Sequence, residues 1–225
     1  MGSSQPSVGY DYETFTDDLH KLITTLDLRD IVLVGFSMGT GEVTRYLSKY
    51  GSERVSKAVL MAPVPPFLLK TDDNLEGVDV SVFSKIEQAI VANRPSYLSA
   101  FFTNFYNVDV LGSNSRLEKL HQRITDDAIR LSWQVAAGAS AKATLDCVAS
   151  WLTDFRADLP RIDVPTLIIQ GDADRILPID STGNRLPKLI KNSQLVVIPD
   201  GPHAINWTHA DRVNPVLLDF LKSGN

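Results

Sequence analysis

The sequence predicts an α/β fold in which helices cover a parallel β-sheet. Four apolar runs lack the polar alternation of a half-exposed strand and end in turn residues: "DIVLVG", "VSKAVLMAP", "VPTLIIQGD" and "SQLVVIPDG". Segments with helical periodicity accompany these runs. Between residues 64 and 154 the pattern changes to helices without such strands. We therefore predict a core formed by residues 1–63 and 155–225, interrupted by a helical lid over residues 64–154.

Two helices flank the first predicted strand. The helix before it carries apolar residues at i, i+3, i+4 and i+7, namely Leu19, Leu22, Ile23 and Leu26. Helical spacing returns after the strand in "VTRYLSKY", and Gly51 follows where a helix C-cap is expected. This order of helix, strand and helix is typical of a parallel sheet with helical connections.

The predicted lid contains four helical stretches: "VFSKIEQAIVA", "SYLSAFFTNFYN", "LEKLHQRITDDAIRLSWQV" and "TLDCVASWLTDF". The block is rich in Phe, Tyr and Trp. Two interpretations are open at this stage: additional helical core, or a lid that lines a pocket next to the sheet.

Composition restricts the classes of partner. The chain has 225 residues, of which 44% are hydrophobic, and a formal net charge of −5. This acidic balance, without a block of Lys and Arg, favours a small-molecule substrate over nucleic acid or an anionic membrane surface. Cys147 is the single cysteine, so no internal disulfide can form, and the first residues lack a signal-peptide pattern. We expect a cytoplasmic location and no membrane span.

The stretch "VGFSMGTG" (34–41) places a G-x-S-x-G pattern between an apolar run and a helical segment. That context is typical of a sharp strand-to-helix turn that raises a serine hydroxyl above the edge of a sheet. Gly35 and Gly39 are expected to leave room where side chains would collide, and Gly41 to permit close packing of the helix. Ser37 is therefore a candidate nucleophile, and the backbone N–H of Met38 a candidate oxyanion donor.

A serine nucleophile needs a base within hydrogen-bond reach, and that base needs an orienting carboxylate. His203 follows the last predicted strand, where a loop can carry it over the carboxyl ends of the strands. His209, predicted to lie within the final helix, is the alternative base. His20 and His121 fall in predicted helices, and we interpret both as surface residues.

The triad acid is expected in the loop after the third predicted strand. That loop, "LIIQGDADRILP", offers Asp172 and Asp174, although aspartates in such loops also form turns and cap helices. The loop after the second predicted strand has no carboxylate before Asp72. We therefore prefer Asp174 as the acid and keep Asp172 as the alternative.

Five residues next to these loops or to the entrance of the lid are candidates for lining a substrate pocket. They are Met38, Val64, Phe67, Ile176 and Trp207. Core packing is the alternative role for each of them. As a pocket, this apolar set would suit small aromatic or aliphatic acyl groups. A metal site is not expected, because the only close pair of histidines lacks a carboxylate at ligand spacing.

Four stretches in order, 9–51, 63–78, 162–180 and 201–221, carry the motifs "GFSMG", "PVPPF", "GDADRILP" and "GPHAINW". Together they resemble the α/β-hydrolase family, in particular the group of cofactor-free bacterial haloperoxidases, aryl esterases with perhydrolase activity and a related γ-lactamase. The resemblance covers nearly the whole chain, least clearly over 78–136. It implies an α/β-hydrolase fold with a helical lid.

Position by position, the resemblance matches Ser37 with the family's nucleophile, Asp174 with its acid, His203 with its base and Met38 with an oxyanion donor. It implies transfer of an acyl group through a serine-bound intermediate without a cofactor. Water would resolve that intermediate to an acid. Hydrogen peroxide would resolve it to a peracid, which can oxidise halide in solution.

Two features depart from the family pattern. Ala204 stands where family members carry glycine after the histidine, and the strands and H-G-x-P-like loop that precede "SSQP" in the family have no counterpart. That loop supplies the family's second oxyanion donor. We therefore expect an N-terminally truncated member in which the strand "IVLVG" has an unpaired edge. Two hypotheses follow. In the first, the chain is a serine hydrolase in which another chain, a dimer contact or a rearranged edge replaces the missing half, and we expect a homo-oligomer. In the second, it is a non-catalytic fragment or ligand-binding module with an incomplete oxyanion hole.

Overall fold

Four parallel strands form one sheet, and helices lie on both of its faces. The computed structural model describes residues 5–112 and 123–224. The strands are β1 (Ile31–Phe36), β2 (Val55–Met61), β3 (Thr166–Gly171) and β4 (Ser193–Ile198). Their order in the sheet is β1-β2-β3-β4, and every neighbouring pair is parallel. The predicted α/β class is confirmed.

The α-helices of the described ranges occupy the connections and the end of the chain. They are α1 (Tyr12–Thr25), α2 (Met38–Tyr50), α3 (Val80–Phe105), α4 (Val108–Leu111), α5 (Asp126–Ala137), α6 (Ala141–Ser150), α7 (Ile205–Thr208) and α8 (Ala210–Lys222). Short 3-10 helices follow α6 and β3. None of the described helices is long and apolar enough to span a membrane.

Burial on both faces, expected for all four strands, is found only in the centre of the sheet. β3 is buried throughout and β2 almost throughout, whereas β1 and β4 are partly exposed. Val34 of β1 is 49% exposed and Val197 of β4 is 40% exposed. The expectation was wrong for these two strands because, within the described residues, each has a neighbour on one side only.

Two hydrophobic layers enclose the sheet. On one face, Ile23 of α1 and Leu47 of α2 pack with Leu60 and Ile168 of the central strands. On the other face, α8 contributes Val213 and Phe220 to a separate cluster with further residues of β2, β3 and β4. Helices therefore cover the central strands on both faces, and the carboxyl ends of the strands carry loops at one edge of the sheet.

The buried face of α1 differs from the predicted stripe. Ile23 is buried as expected, but Leu22 is 54% exposed and Leu26 is 59% exposed. The face that is buried instead begins with Tyr12 and Thr16. The predicted burial of Leu22 and Leu26 was wrong. The helix packs against the core through the stripe formed by Tyr12, Thr16 and Ile23, and the two leucines lie at one side of that stripe.

Helices α3 to α6 all fall between residues 64 and 154, and all four strands fall outside that range. Asn93 breaks α3 with non-helical backbone angles, and its side-chain oxygen accepts a hydrogen bond of 3.0 Å from the Ser96 N–H. The first two helical stretches predicted for this block therefore remain distinct segments. Part of the third stretch, including His121, lies outside the described residues.

Candidate active site

Ser37 lies in the turn between β1 and α2, where its backbone has φ 53° and ψ −121°. A positive φ is uncommon for a residue with a side chain and costs about 1–3 kcal/mol unless the surroundings hold it. Here the Ser37 N–H donates to the Met61 carbonyl at the end of β2, at 2.9 Å. The turn is thus fixed to the neighbouring strand at the carboxyl edge of the sheet.

Thr40 ties the same turn to the loop that follows β2. Its hydroxyl donates to the Ser37 carbonyl at 2.6 Å and accepts from the Val64 N–H at 3.0 Å. The side chain is fully buried. Thr40 was not among the predicted site residues, although a threonine three residues after a candidate nucleophile is well placed to bond back to its carbonyl.

His203 bridges the candidate nucleophile and the candidate acid. Its Nε2 lies 2.9 Å from Ser37 Oγ, and its Nδ1 lies 2.8 Å from Asp174 Oδ2. The side chains of His203 and Asp174 are both buried. An ionised carboxylate only accepts hydrogen bonds, so an ionised Asp174 selects the tautomer in which Nδ1 carries the proton and Nε2 is free to accept from the serine hydroxyl. The three side chains form one hydrogen-bonded chain.

The two candidate acids have different partners. Asp174 Oδ1 accepts from the N–H groups of Ile176 and Leu177 at 2.9 and 2.8 Å, which leaves Oδ2 for His203. Asp172 instead accepts from the Asp200 N–H at 2.7 Å and is exposed. The geometry therefore places Asp174 beside His203 and gives Asp172 the turn-forming role that was its alternative.

The loops that carry the candidate acid and the candidate base lie against each other at the ends of β3 and β4. Ala173 donates its N–H to the Gly201 carbonyl at 3.0 Å. A Cβ added to Gly171 would lie 2.0 Å from the Gly201 oxygen, so only glycine permits this approach. Close backbone contact thus sets the spacing between Asp174 and His203.

Aromatic rings enclose the His203 imidazole. Phe36, at the end of β1, has its ring centroid 5.2 Å from that of His203, and Phe105, at the end of α3, has its centroid at 5.1 Å. The two phenyl rings meet edge to face. Apolar walls of this kind strengthen the hydrogen bonds that they surround, because they exclude water.

A cavity of about 390 Å³ opens beside Ser37 and Met38. Val64 and Ile176 line it, as predicted, and α3 supplies much of the remaining wall through Phe83, Tyr97 and Phe101. Burial raises the pKa of Tyr97 to about 12, since the ionised phenolate is disfavoured away from water. The cavity can therefore accept an apolar group next to the serine hydroxyl.

Two predicted pocket residues lie elsewhere in the described structure. Phe67 is buried, but its ring lies under the Arg156 guanidinium, whose central carbon is 5.0 Å from the ring centroid. Trp207 is 54% exposed on α7. These placements correct the sequence-based choice: position next to a catalytic loop did not specify on which side of that loop a side chain points.

Comparison with known proteins gives a consistent family assignment. A family model described as alpha/beta hydrolase fold matches residues 1–210. The chain belongs to the α/β-hydrolase family. The predicted family and fold are thereby confirmed.

Named relatives of this α/β-hydrolase include haloperoxidases and an esterase. A Synechocystis protein whose provisional name is non-heme chloroperoxidase is 74% identical over 98% of this chain and 77% of its own length. The bifunctional esterase/perhydrolase of Acinetobacter calcoaceticus is 31% identical over 98% of this chain and 78% of its own. The crystal structure of a Bacillus anthracis bromoperoxidase is 41% identical, with a TM-score of 0.89 over 98% of this chain and 77% of that one. These relatives confirm the predicted enzyme type, and the chain spans about three quarters of each.

The other histidines of the α/β-hydrolase have separate surroundings. His209 directly precedes α8, and its Nδ1 lies 2.8 Å from the Thr208 hydroxyl. Burial and the nearby charges of Arg123 and Arg212 lower the pKa of His209. His20 is half-buried and stacks on Tyr50 at a centroid distance of 3.6 Å, so its assignment to the surface was only partly correct. Within 5–112 and 123–224, no cluster of three His, Cys, Asp or Glu residues suits a metal ion.

The glycines of the "GFSMG" motif are not equivalent. A Cβ on Gly35 would lie 2.5 Å from the Gly39 carbonyl oxygen and 2.8 Å from Thr40 Cα, so the backbone itself requires glycine there. A Cβ on Gly39 would meet no described atom within 4 Å apart from its chain neighbours and the adjacent backbone of α2, which corrects the expectation that both glycines relieve crowding. Gly41 does allow close packing, because a Cβ there would lie 2.5 Å from the Tyr12 ring.

This difference predicts opposite outcomes for two alanine variants. Gly35→Ala should lower the free energy of unfolding by about 1–3 kcal/mol, because backbone atoms must move to admit the methyl group. Gly39→Ala should be neutral or stabilise by up to about 1 kcal/mol, because alanine favours the helix. Urea unfolding of both variants and the unsubstituted protein measures the difference. Equal losses of stability in the two variants would contradict the assignment.

Proposed function

We propose that this α/β-hydrolase cleaves carboxylic esters by nucleophilic catalysis, with Ser37 as the nucleophile, His203 as the base and Asp174 as the orienting acid. The observation that supports this most directly is the unbroken hydrogen-bonded chain from Ser37 Oγ through the imidazole to Asp174 Oδ2. A serine hydroxyl is a weak nucleophile unless a base removes its proton during attack. The buried carboxylate keeps the imidazole in the tautomer that can act as that base.

In the first step, Ser37 Oγ attacks the ester carbonyl carbon while His203 Nε2 takes the hydroxyl proton. The carbonyl oxygen becomes an oxyanion, which the Met38 N–H supports. Met38 begins α2, and N–H groups in the first turn of a helix lack acceptors within that helix. The helix dipole favours negative charge at the same place. The tetrahedral intermediate then collapses, the alcohol leaves with the proton from His203, and the acyl group stays on Ser37.

In the second step, a small nucleophile releases the acyl group. Water, with His203 taking its proton, yields the carboxylic acid and restores the Ser37 hydroxyl. Hydrogen peroxide in the same position yields a peracid, which can oxidise halide in solution. The similarity to an esterase/perhydrolase and to non-heme chloroperoxidases supports both outcomes. Neither outcome calls on a cofactor.

The cavity supports a preference for small aromatic or aliphatic acyl groups. Its wall next to Ser37 is apolar, and α3 closes one side of it. We propose that the insertion over residues 64–154 serves as a lid whose α3 segment determines which acyl groups fit. A charged acyl group would lose its hydration in the apolar part of this cavity, which is costly. Arg175 is the charged residue among the described lining residues, and its guanidinium is already paired with Asp109.

We also propose a cytoplasmic enzyme that associates with further copies of itself. Support for association comes from β1, which pairs only with β2 among the described residues and exposes Val34. A free strand edge next to an apolar side chain is a site at which other chains can pair.

One sample tests both parts of the proposal. The protein is expected to hydrolyse p-nitrophenyl acetate and to form peracid when hydrogen peroxide is added. Its mass in solution is expected to equal two or more copies of the 24.8 kDa chain. A folded sample that does not hydrolyse short-chain esters would contradict the catalytic proposal. A monomeric mass in an active sample would contradict self-association alone.

A further inference from the structure

Residues 105–109 run from the last residue of α3 into α4, and they contact both loops of the proposed triad. The Phe105 carbonyl accepts a hydrogen bond from the Ala204 N–H at 3.1 Å, directly after His203. Asp109 receives two hydrogen bonds from the Arg175 guanidinium, at 2.7 and 3.2 Å, directly after Asp174. Between these contacts lies Asn107. The predicted lid is thus attached to the acid and base loops through this short segment.

Asn107 makes the central contact of the segment. Its side-chain N–H donates to the Ala173 carbonyl at 2.9 Å, directly before Asp174. The residue is 3% exposed, and its backbone is left-handed, with φ 48° and ψ 51°. Asparagine tolerates this conformation better than most residues with a side chain. A buried, conformationally restricted donor is well suited to hold the carbonyl that it contacts.

The contact between Asn107 and Ala173 affects the position of Asp174, because Ala173 directly precedes Asp174 and is hydrogen-bonded on two sides. Its N–H donates to Gly201 of the base loop, and its carbonyl accepts from Asn107. Ala173 is therefore held from both sides: the base loop binds the peptide unit before it, and Asn107 binds the peptide unit that leads into Asp174. A displacement of about 1 Å at a catalytic group can cost about 100-fold in rate.

We propose that Asn107 is a positioning residue that sets the alignment of Asp174 with His203 and so controls the rate of acyl transfer. This inference rests on the proposed function. Asn107 is not among the described residues that line the cavity, so its effect should fall on kcat and not on substrate binding. It also gives the lid a role in catalysis that is separate from enclosing the substrate.

Two variants test the proposal by different means. Asn107→Gly keeps the left-handed backbone and removes the donor, and we expect kcat for p-nitrophenyl acetate to fall about 10-fold. Asn107→Asp keeps the shape but directs an acceptor at the Ala173 carbonyl, and we expect a fall of about 100-fold. In both variants KM should stay within about twofold, and the rate at which a fluorophosphonate labels Ser37 should fall in parallel with kcat.

Asn192→Gly is the control, because Asn192 is exposed and directly precedes β4, at the end of that strand opposite to the base loop. It should leave kcat and KM unchanged. If Asn107→Gly lowers the melting temperature but retains the full kcat at 25 °C, the role of Asn107 is structural only and the proposal is wrong. If the unsubstituted protein neither hydrolyses the ester nor takes the label, the proposed function fails and this inference fails with it.

Discussion

Replacing Ser37 by Ala should lower kcat for p-nitrophenyl acetate by about 10⁴-fold or more and prevent labelling by a fluorophosphonate. The substitution removes the oxygen that lies 2.9 Å from His203 Nε2 and leaves the rest of the site in place. Alanine meets the same backbone demand at φ 53° as serine does, so the free energy of unfolding should change little. Mass mapping of the labelled unsubstituted protein should place a single adduct on Ser37.

Ser99→Ala is the control for this experiment. Ser99 is exposed on α3, and its hydroxyl donates to the Pro95 carbonyl of its own helix. Its loss should change neither the ester hydrolysis rate nor the label. Hydrolysis by a folded Ser37→Ala variant at the unsubstituted rate, or a label on another residue, would assign the nucleophile elsewhere.

The parts of the fold that could be predicted depend on local pattern. The strands β2 and β3 each contain an apolar run, "AVLM" and "LII", followed by turn residues, and such runs are typical of buried strands in a parallel sheet. The turn at Ser37 was predictable for a related reason, since G-x-S-x-G between a strand and a helix permits few backbone paths. In both cases the deciding interactions lie within a few residues along the chain.

The parts that could not be predicted depend on packing between distant segments. Leu22 and Ile23 lie three and four residues after Leu19, and both spacings fit one face of a helix, but only Ile23 faces the core. Likewise, Gly35 and Gly39 are the two glycines of the same G-x-S-x-G motif, but only Gly35 lies against the backbone of another residue of the turn. The direction in which α2 runs from the turn determines the space around each of them. Periodicity identifies a helix, but its orientation about its own axis is decided by the surface against which it packs.

The site shows the same division. The order of Ser37, Asp174 and His203 along the chain predicted that their loops would meet, because parallel strands bring their carboxyl ends to one edge, and the structure joins the three side chains by hydrogen bonds. No comparable signal marked Asn107 or Phe105, which come from a helical segment remote in sequence from all three. Their contacts arise only when the predicted lid folds back onto the acid and base loops.

The comparison of Asp174→Asn with Asp172→Asn should separate two aspartates that the sequence treats almost alike. Asparagine at position 174 can still accept from the N–H groups of Ile176 and Leu177 through its oxygen. Its amide N–H₂ then faces His203 Nδ1, which must become an acceptor. The imidazole proton moves to Nε2, which can no longer accept from Ser37, and kcat should fall by about 10⁴-fold.

Asparagine at position 172 keeps the oxygen that accepts from the Asp200 N–H, so kcat should stay within about threefold of the unsubstituted value. The two variants make the same chemical change, carboxylate to amide, at two positions of one loop that are two residues apart. Steady-state hydrolysis of p-nitrophenyl acetate measures kcat for both variants. Equal losses of activity would mean that the negative charge of the loop acts as a whole. A large loss for Asp174→Asn alone would mean that the carboxylate acts through the imidazole tautomer, because that tautomer depends on contact with His203.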